Sequence, residues 1–319
     1  MTSLSVNRLA MSIVQKMLDH SKELGLCVFT LDNGATVIDD GKDAPGGFEA
    51  GRLIAEVSMG GLAQVTLVAD YSLGLPLLSV QVVTDQPLIS CILSQMAGWR
   101  IKVGSFYALG SGPARALAKV EKIYSRFPYG DDHDEAVLVL ETSRVPGEEV
   151  AEWVCQRCGV NAEDVYILLT PTESVAGSTQ ICARVVESGM VKMDSMGIDI
   201  SQIRSAYGAC PVPPVCQDAM TMMGRTNDAI LYGGSSTYLF EDGSDARTRI
   251  EEMPSSSSPD YCKSFLELFE AVGGQFYKID AKLFSPSEVA VIDLSSATTA
   301  RAGSRNPVLL SSFLNLPSR

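Results

Sequence analysis

Histidine is scarce in this 319-residue chain: His20 and His133 are the only two. The first lies in an apparent opening helix and the second inside the acidic stretch Gly130-Asp-Asp-His-Asp-Glu135, neither beside a set of ligands. Histidine triads and catalytic zinc sites draw on several such side chains, so neither is expected. Proton transfer then falls to carboxylates. Positive charge is also short, with 25 Lys and Arg against 38 Asp and Glu and a formal net charge of −13. That is the wrong sign for a general polyanion binder, and nucleic acid is excluded as an expected partner. The acidity fits a cytoplasmic protein kept soluble, and it mildly favours the approach of a cation. Long apolar runs are missing too. Met1–Ala10 has neither a basic n-region nor a continuous h-region, and no later run reaches bilayer length, so a cytoplasmic protein without a membrane partner is expected.

Eight cysteines are present, and only Cys155 and Cys158 form a CxxC. A helical pattern precedes that motif, not the strand of a thioredoxin-like site, and no second CxxC completes a zinc set. Reduced thiols packed as small hydrophobes are expected, and no metal.

The 46% of apolar residues suffices for a sizeable core. An apolar period near 3.6 over Val6–Leu24 predicts a helix, and Leu26–Leu31 and Thr36–Asp39 predict strands joined by a tight turn at Asn33-Gly34. Glycine pairs at Gly46-Gly47 and Gly60-Gly61 punctuate a further helix. Strands are expected at Ala63–Val68, Val80–Thr84, Trp99–Val103, Ala136–Glu141, Val165–Leu169, Ala229–Tyr232 and Glu288–Leu294. Helices are expected at Pro87–Ala97, Pro146–Cys158, Val175–Met190 and Tyr261–Val272. This interleaving gives a mixed α/β (α+β) class. A composition change at Phe127–Glu135 places a boundary between an N-terminal α/β domain, 1–130, and a C-terminal one, 131–319. The expected ligand site is a cleft between them.

The most distinctive segment is Pro171–Gly189. Within it Arg184 and Glu187 stand three residues apart, on one face if the segment is helical. Two readings stand: an exposed pair worth a few tenths of a kcal/mol, or, because Ile181-Cys-Ala and Val185-Val186 around it are apolar or small, a pair lining a cleft. In the second, desolvation and a neighbouring guanidinium act oppositely on the carboxylate and can leave it ready to accept a proton.

In Gly110-Ser-Gly-Pro-Ala-Arg115, Ser111 and Arg115 either contact an anionic or carbonyl part of a ligand at a helix start or simply form a Pro-initiated turn. In Gly224–Asp228, Arg225, Asn227 and Asp228 offer a fork of donors, an amide and a carboxylate, or else cap a turn. Glu49 and Asp85 are further candidates, with helix capping or a solvated turn as the competing account.

Taken in order, Gly46-Gly-Phe-Glu-Ala-Gly51, Met59-Gly-Gly-Leu62, Ala97-Gly-Trp99, Gly110–Leu117, Ala183-Arg-Val-Val-Glu187, Met223–Asp228 and Tyr232-Gly-Gly234 resemble the methenyltetrahydromethanopterin cyclohydrolases of methanogens and methylotrophic bacteria nearly end to end. The resemblance implies a one-carbon enzyme that adds water to a bridged N5,N10-methenyl cation on a pterin, giving the N5-formyl compound without metal, nucleotide or redox cofactor. It implies Glu187 as base on the attacking water and Arg184 as the group that orients it. It suggests a homotrimer, and it leaves open whether the carrier is tetrahydromethanopterin, its dephosphorylated relative or tetrahydrofolate. The alternatives are a non-catalytic pterin-binding subunit of a C1-transfer complex and a pterin dehydrogenase. The second lacks the Gly-rich nucleotide fingerprint it would need.

Overall fold

A computed structural model describes residues 4–275 and 278–316. By its contacts the chain forms two compact units, Met1–Gln64 with Ile89–Gln180, and Val65–Leu88 with Ile181–Arg319. The composition change near residue 130 lies inside the first unit and does not divide it. The reason is local: Asp131 accepts hydrogen bonds from the backbone and side-chain nitrogens of Asn7, both at 2.8 Å, and the Asn7 side-chain oxygen accepts from Val137 N. Within this stretch the buried Asp131 is the tether, while Asp132 and Asp134 are exposed.

The first unit is built on a six-stranded sheet. Its strands are β1 (Cys27–Thr30), β2 (Thr36–Asp39), β5 (Trp99–Val103), β6 (Phe106–Ser111), β7 (Ala136–Glu141) and β8 (Val165–Leu169), in the order β1-β2-β8-β7-β6-β5. The predicted hairpin forms, with β1 antiparallel to β2 and Gly34 at φ +95° in its turn, a backbone region that favours glycine. β2, β8 and β7 run parallel, so the C-terminal ends of three strands open on one side of the sheet. Central β7 shows why this strand is continuously apolar. Ala136, Leu138 and Leu140 pack with the helix Glu148–Cys158, while Val137 and Val139 pack with the helices Val6–Asp19 and Phe48–Ser58. Both faces are covered, and alternation of polar residues is lost.

The second unit holds β3 (Ala63–Asp70), β4 (Leu77–Thr84), β9 (Ile203–Pro211), β10 (Ser235–Phe240), β11 (Glu288–Asp293) and β12 (Thr298–Gly303), ordered β12-β11-β10-β9-β4-β3. The segment Ala229–Tyr232, expected as a strand, is instead a wide π-type turn, Ala229–Gly233, continuing the helix Ala219–Asp228. Its apolar side chains are buried all round, and periodicity cannot separate such a turn from a short buried strand. The expected helix Pro87–Ala97 is also π-type, over Leu88–Gln95. The helix expected over Tyr261–Val272 spans only Phe265–Ala271, started by a capping box of Ser264 and Glu267.

One helix of this unit, Val185–Ser195, packs on β9 and β10. Two glycines bring it close: a Cβ at Gly189 would lie 2.0 Å from the Tyr238 hydroxyl, and one at Gly208 would lie 2.8 Å from Ser235 O and 3.1 Å from Val185 and Val186. The Tyr238 hydroxyl donates to Val186 O at 2.8 Å, a bond that locks the first turn to the sheet. Gly189→Ala is expected to destabilise the protein by about 1–3 kcal/mol through overpacking. Chemical denaturation checks this, and an unchanged midpoint would contradict the close contact.

Candidate active site

The segment expected as one helix over Val175–Met190 is two helices, Val175–Cys182 and Val185–Ser195. They break at Ala183-Arg184, where Arg184 takes φ −77° and ψ 6° as the residue capping the second helix. This is the sparsely populated bridge region in which many active-site residues sit. Arg184 N donates to Ile181 O at 2.9 Å, and Arg184 O accepts from Ser188 N at 2.8 Å, so the backbone is held on both sides of the break. Glu187 then falls in the first turn of the new helix, where free N–H groups and the positive end of the dipole favour a carboxylate.

The two side chains meet: Arg184 Nη1 donates to Glu187 Oε2 at 3.0 Å, with side-chain exposures of 10% and 11%. The exposed-pair reading of the sequence is thereby set aside. A mostly buried pair with a small accessible fraction can bind and orient a polar molecule, and the carboxylate can receive a proton from it.

The other candidates are placed differently. Ser111 ends β6, and the loop expected from Gly110 begins only at Gly112, since Gly110 and Ser111 belong to the strand. Arg115 is fully buried, with Nε and Nη2 donating to the two oxygens of Glu121 at 2.8 Å each and Nη1 donating to Ile92 O and Ser94 O. The two bonds from Nη1 tie the short helix Ala114–Ala118 to the π-type helix Leu88–Gln95, and the other two hold Glu121. Arg225 donates to Pro214 O and Asn227 to Met223 O, both from one helix, and Asp228 ends that helix, accepting from Phe265 N at 2.8 Å. Burial raises the Asp228 carboxyl to about 7. Glu49 is exposed and paired with Arg52 in the first turn of its helix, and Asp85, also exposed, accepts from the Ser205 hydroxyl at 2.7 Å.

Further polar groups gather at the C-terminal ends of β2, β7 and β8. Thr170 donates to Asp40 Oδ2 at 2.6 Å, and the Gln180 amide donates to Glu141 Oε1 at 3.1 Å. Asp40 Oδ1 and Gln180 Oε1 are buried and accept no hydrogen bond among the described residues. Burial drives the Asp40 carboxyl well above the usual carboxylate range. The signal in the sequence was an acidic pair, Asp39-Asp40, at the end of an otherwise apolar strand. Of the CxxC thiols, Cys158 is buried and raised to about 12 by that burial, an unreactive state. Among the described residues no three His, Cys, Asp or Glu side chains group as a metal site.

Two mixed α/β units, one carrying a buried guanidinium and carboxylate at a helix break, define an α/β protein with the makings of a hydrolytic centre. The chain belongs to the cyclohydrolase (MCH) family, whose model matches residues 5–313. It is 43% identical over 317 residues to the methenyltetrahydromethanopterin cyclohydrolase of Methanocaldococcus jannaschii, covering 98% of each chain. It is 42% identical over 315 residues to that of Methanosarcina barkeri (97% of this chain, 98% of the relative) and 43% over 312 to that of Methanothermobacter marburgensis (96% and 98%).

Two outcomes test the placement. Arg115→Met strands the Glu121 carboxylate and is expected to cost about 3–5 kcal/mol, read by denaturant unfolding; full stability with altered substrate affinity would instead mark Arg115 as a ligand contact. For Asp228, the folded state holds its proton more tightly than the unfolded chain, where a carboxyl titrates near about 4. Its penalty is absent below about pH 4 and grows until pH passes about 7. Asp228→Asn should therefore gain stability relative to the wild type as pH rises through that window, and a difference flat with pH would contradict it.

Proposed function

We propose that the chain is a methenyltetrahydromethanopterin cyclohydrolase, adding water to the N5,N10-methenyl cation to form the N5-formyl compound, reversibly. The observation that carries this reading is the buried 3.0 Å pair of Arg184 and Glu187, standing at the helix break of a chain that matches the family throughout.

In the proposed reaction Glu187 takes a proton from water as its oxygen bonds to the bridging carbon. That carbon is already electron-poor, because the amidinium shares a positive charge, and orientation plus proton removal suffices for attack. The tetrahedral adduct then collapses: its hydroxyl proton leaves, the carbonyl forms, and the electrons of the C–N10 bond pass to N10, which takes up a proton. One proton is released overall. Arg184 holds Glu187 in place and aligns the water.

Arg225, Asn227 and Asp228, sharing one helix end, are proposed to meet the donor and acceptor edge of the pterin; Ser111, Glu49 and Asp85 are weaker proposed contacts. Family membership also supports a homotrimer. A cytoplasmic location is consistent with the finding that no helix among the described residues is long and apolar enough to cross a membrane.

Loss of the methenyl absorbance on adding purified protein tests the activity, with methanopterin and folate carriers side by side. No acceleration with either would favour a non-catalytic pterin-binding subunit. Glu187→Gln keeps the shape and removes the base, so kcat should fall by roughly 10²-fold or more. Near-normal turnover would end the assignment of Glu187.

A further inference from the structure

The helix Val185–Ser195 carries Glu187 in its first turn and is anchored by side chains near both of its ends. At the start, the fully buried Tyr238 of β10 donates its hydroxyl proton to Val186 O at 2.8 Å. In the last turn, the Lys192 ammonium donates to the Ser257 hydroxyl at 3.2 Å and to Lys282 O. Those acceptors belong to two short turns, Ser255–Ser257 and Ala281–Leu283. The first turn is itself tied down, because Ser255 Oγ donates to Leu231 O and Ser255 N donates to Pro286 O at 3.1 Å.

Lys192 is a costly means of packing a helix. Its side chain is buried, and removal from water draws the ammonium down to about 8, with Asp280 and Glu252 nearby favouring the charge and Lys282 opposing it. Holding the cation there works against folding at neutral pH. An apolar side chain of similar length would fill the place without that penalty, but it could not grip both turns. Ser257 and Lys282 are exposed, so water can take the place of the amine as their partner. What the ammonium adds is direction more than net stability.

Val186 and Lys192 stand six residues apart, about 9 Å along the helix axis, and Glu187 lies between them. A helix held at one point can still tilt about it, whereas one held at two cannot. A carboxylate that must meet one water in a productive geometry tolerates displacements of only a fraction of an ångström.

We infer that Tyr238 and Lys192 are positioning residues for the hydration step: by holding this helix at two points they keep the Glu187 carboxylate aligned with Arg184 and with the attacking water. The inference rests on Glu187 being the base of the proposed reaction. Both side chains act through the helix, not on the substrate.

Tyr238→Phe keeps the ring against Gly189 and removes the donor, and Lys192→Met keeps the length and removes the cation. In each variant, amide hydrogen exchange over Val185–Ser195 should quicken by about five-fold or more while β7 in the other unit exchanges as in the wild type. The unfolding midpoint of Lys192→Met should not fall. Methenyl hydrolysis should lose roughly ten-fold in kcat with KM unchanged. In a Glu187→Gln background the same substitutions should cost nothing further, since no base remains to be misaligned; a merely structural role would lower turnover by the same factor in both backgrounds. Should one variant fail to fold, the other carries the same expectations. Unchanged exchange in the helix, wild-type kcat in a folded variant, or an equal loss with and without Glu187 would each overturn the inference. A wild-type protein without hydrolysis would remove the reaction and this role together, whereas wild-type kcat in the variants of an active protein would remove the role alone.

Discussion

The close seating of the helix Val185–Ser195 on its sheet is the constraint on which the candidate site depends. Helices pack on neighbours at distances set by the side chains between them, and here glycine occupies both sides of the contact. Gly189 makes room for the Tyr238 hydroxyl, and Gly208 makes room for Val185 and Val186. The result is a helix start pressed into the unit, with Val185 and Val186 fully buried. Glu187 is drawn inward with them, and a carboxylate that would be solvated on an ordinary amphipathic helix becomes mostly enclosed. Its position is fixed by the packing of Val185 and Val186 beside it.

The break before this helix has a second effect. In a continuous helix, residues three apart share a face, and the sequence already indicated that Arg184 and Glu187 would be neighbours. The break makes Arg184 a capping residue and places Glu187 in a first turn. There the guanidinium and the helix start both favour negative charge, while burial opposes it. Nothing in the local pattern announced this break. Val175–Cys182 and Val185–Ser195 have no proline at the junction, and apolar or small residues run on either side of it in Ile181-Cys-Ala and Val185-Val186, so periodicity read them as one.

Other parts of the fold were legible for physical reasons that recur. The hairpin at Asn33-Gly34, the helix ending at Cys158-Gly159 and the strand Glu288–Asp293 each have local turn chemistry or a clear apolar pattern. The division into units was not legible. Val65–Leu88 leaves the first unit to supply β3 and β4 to the second, and a long-range sheet register has no local compositional signature. The same holds for Asp40 and Gln180. Their positions come from the parallel pairing of β2, β8 and β7, which brings the strand ends at Asp40, Thr170 and Glu141 together.

Two buried guanidinium and carboxylate pairs show how little residue type alone decides. Arg115 and Glu121 are joined by two 2.8 Å bonds, and the arginine also holds two carbonyl oxygens. Such a pair has its strong directions filled, and its consequence is order in the loops around it. Arg184 and Glu187 are joined by a 3.0 Å bond and keep a tenth of each side chain accessible. Catalysis by proton transfer requires a carboxylate held firmly by one partner yet still reachable by a second. The sequence presents Arg115 and Arg184 alike, each in a small-residue stretch near a helix start. The geometry of the acceptors, and the tenth of each side chain left accessible, distinguish the Arg184 and Glu187 pair from one whose guanidinium is fully buried.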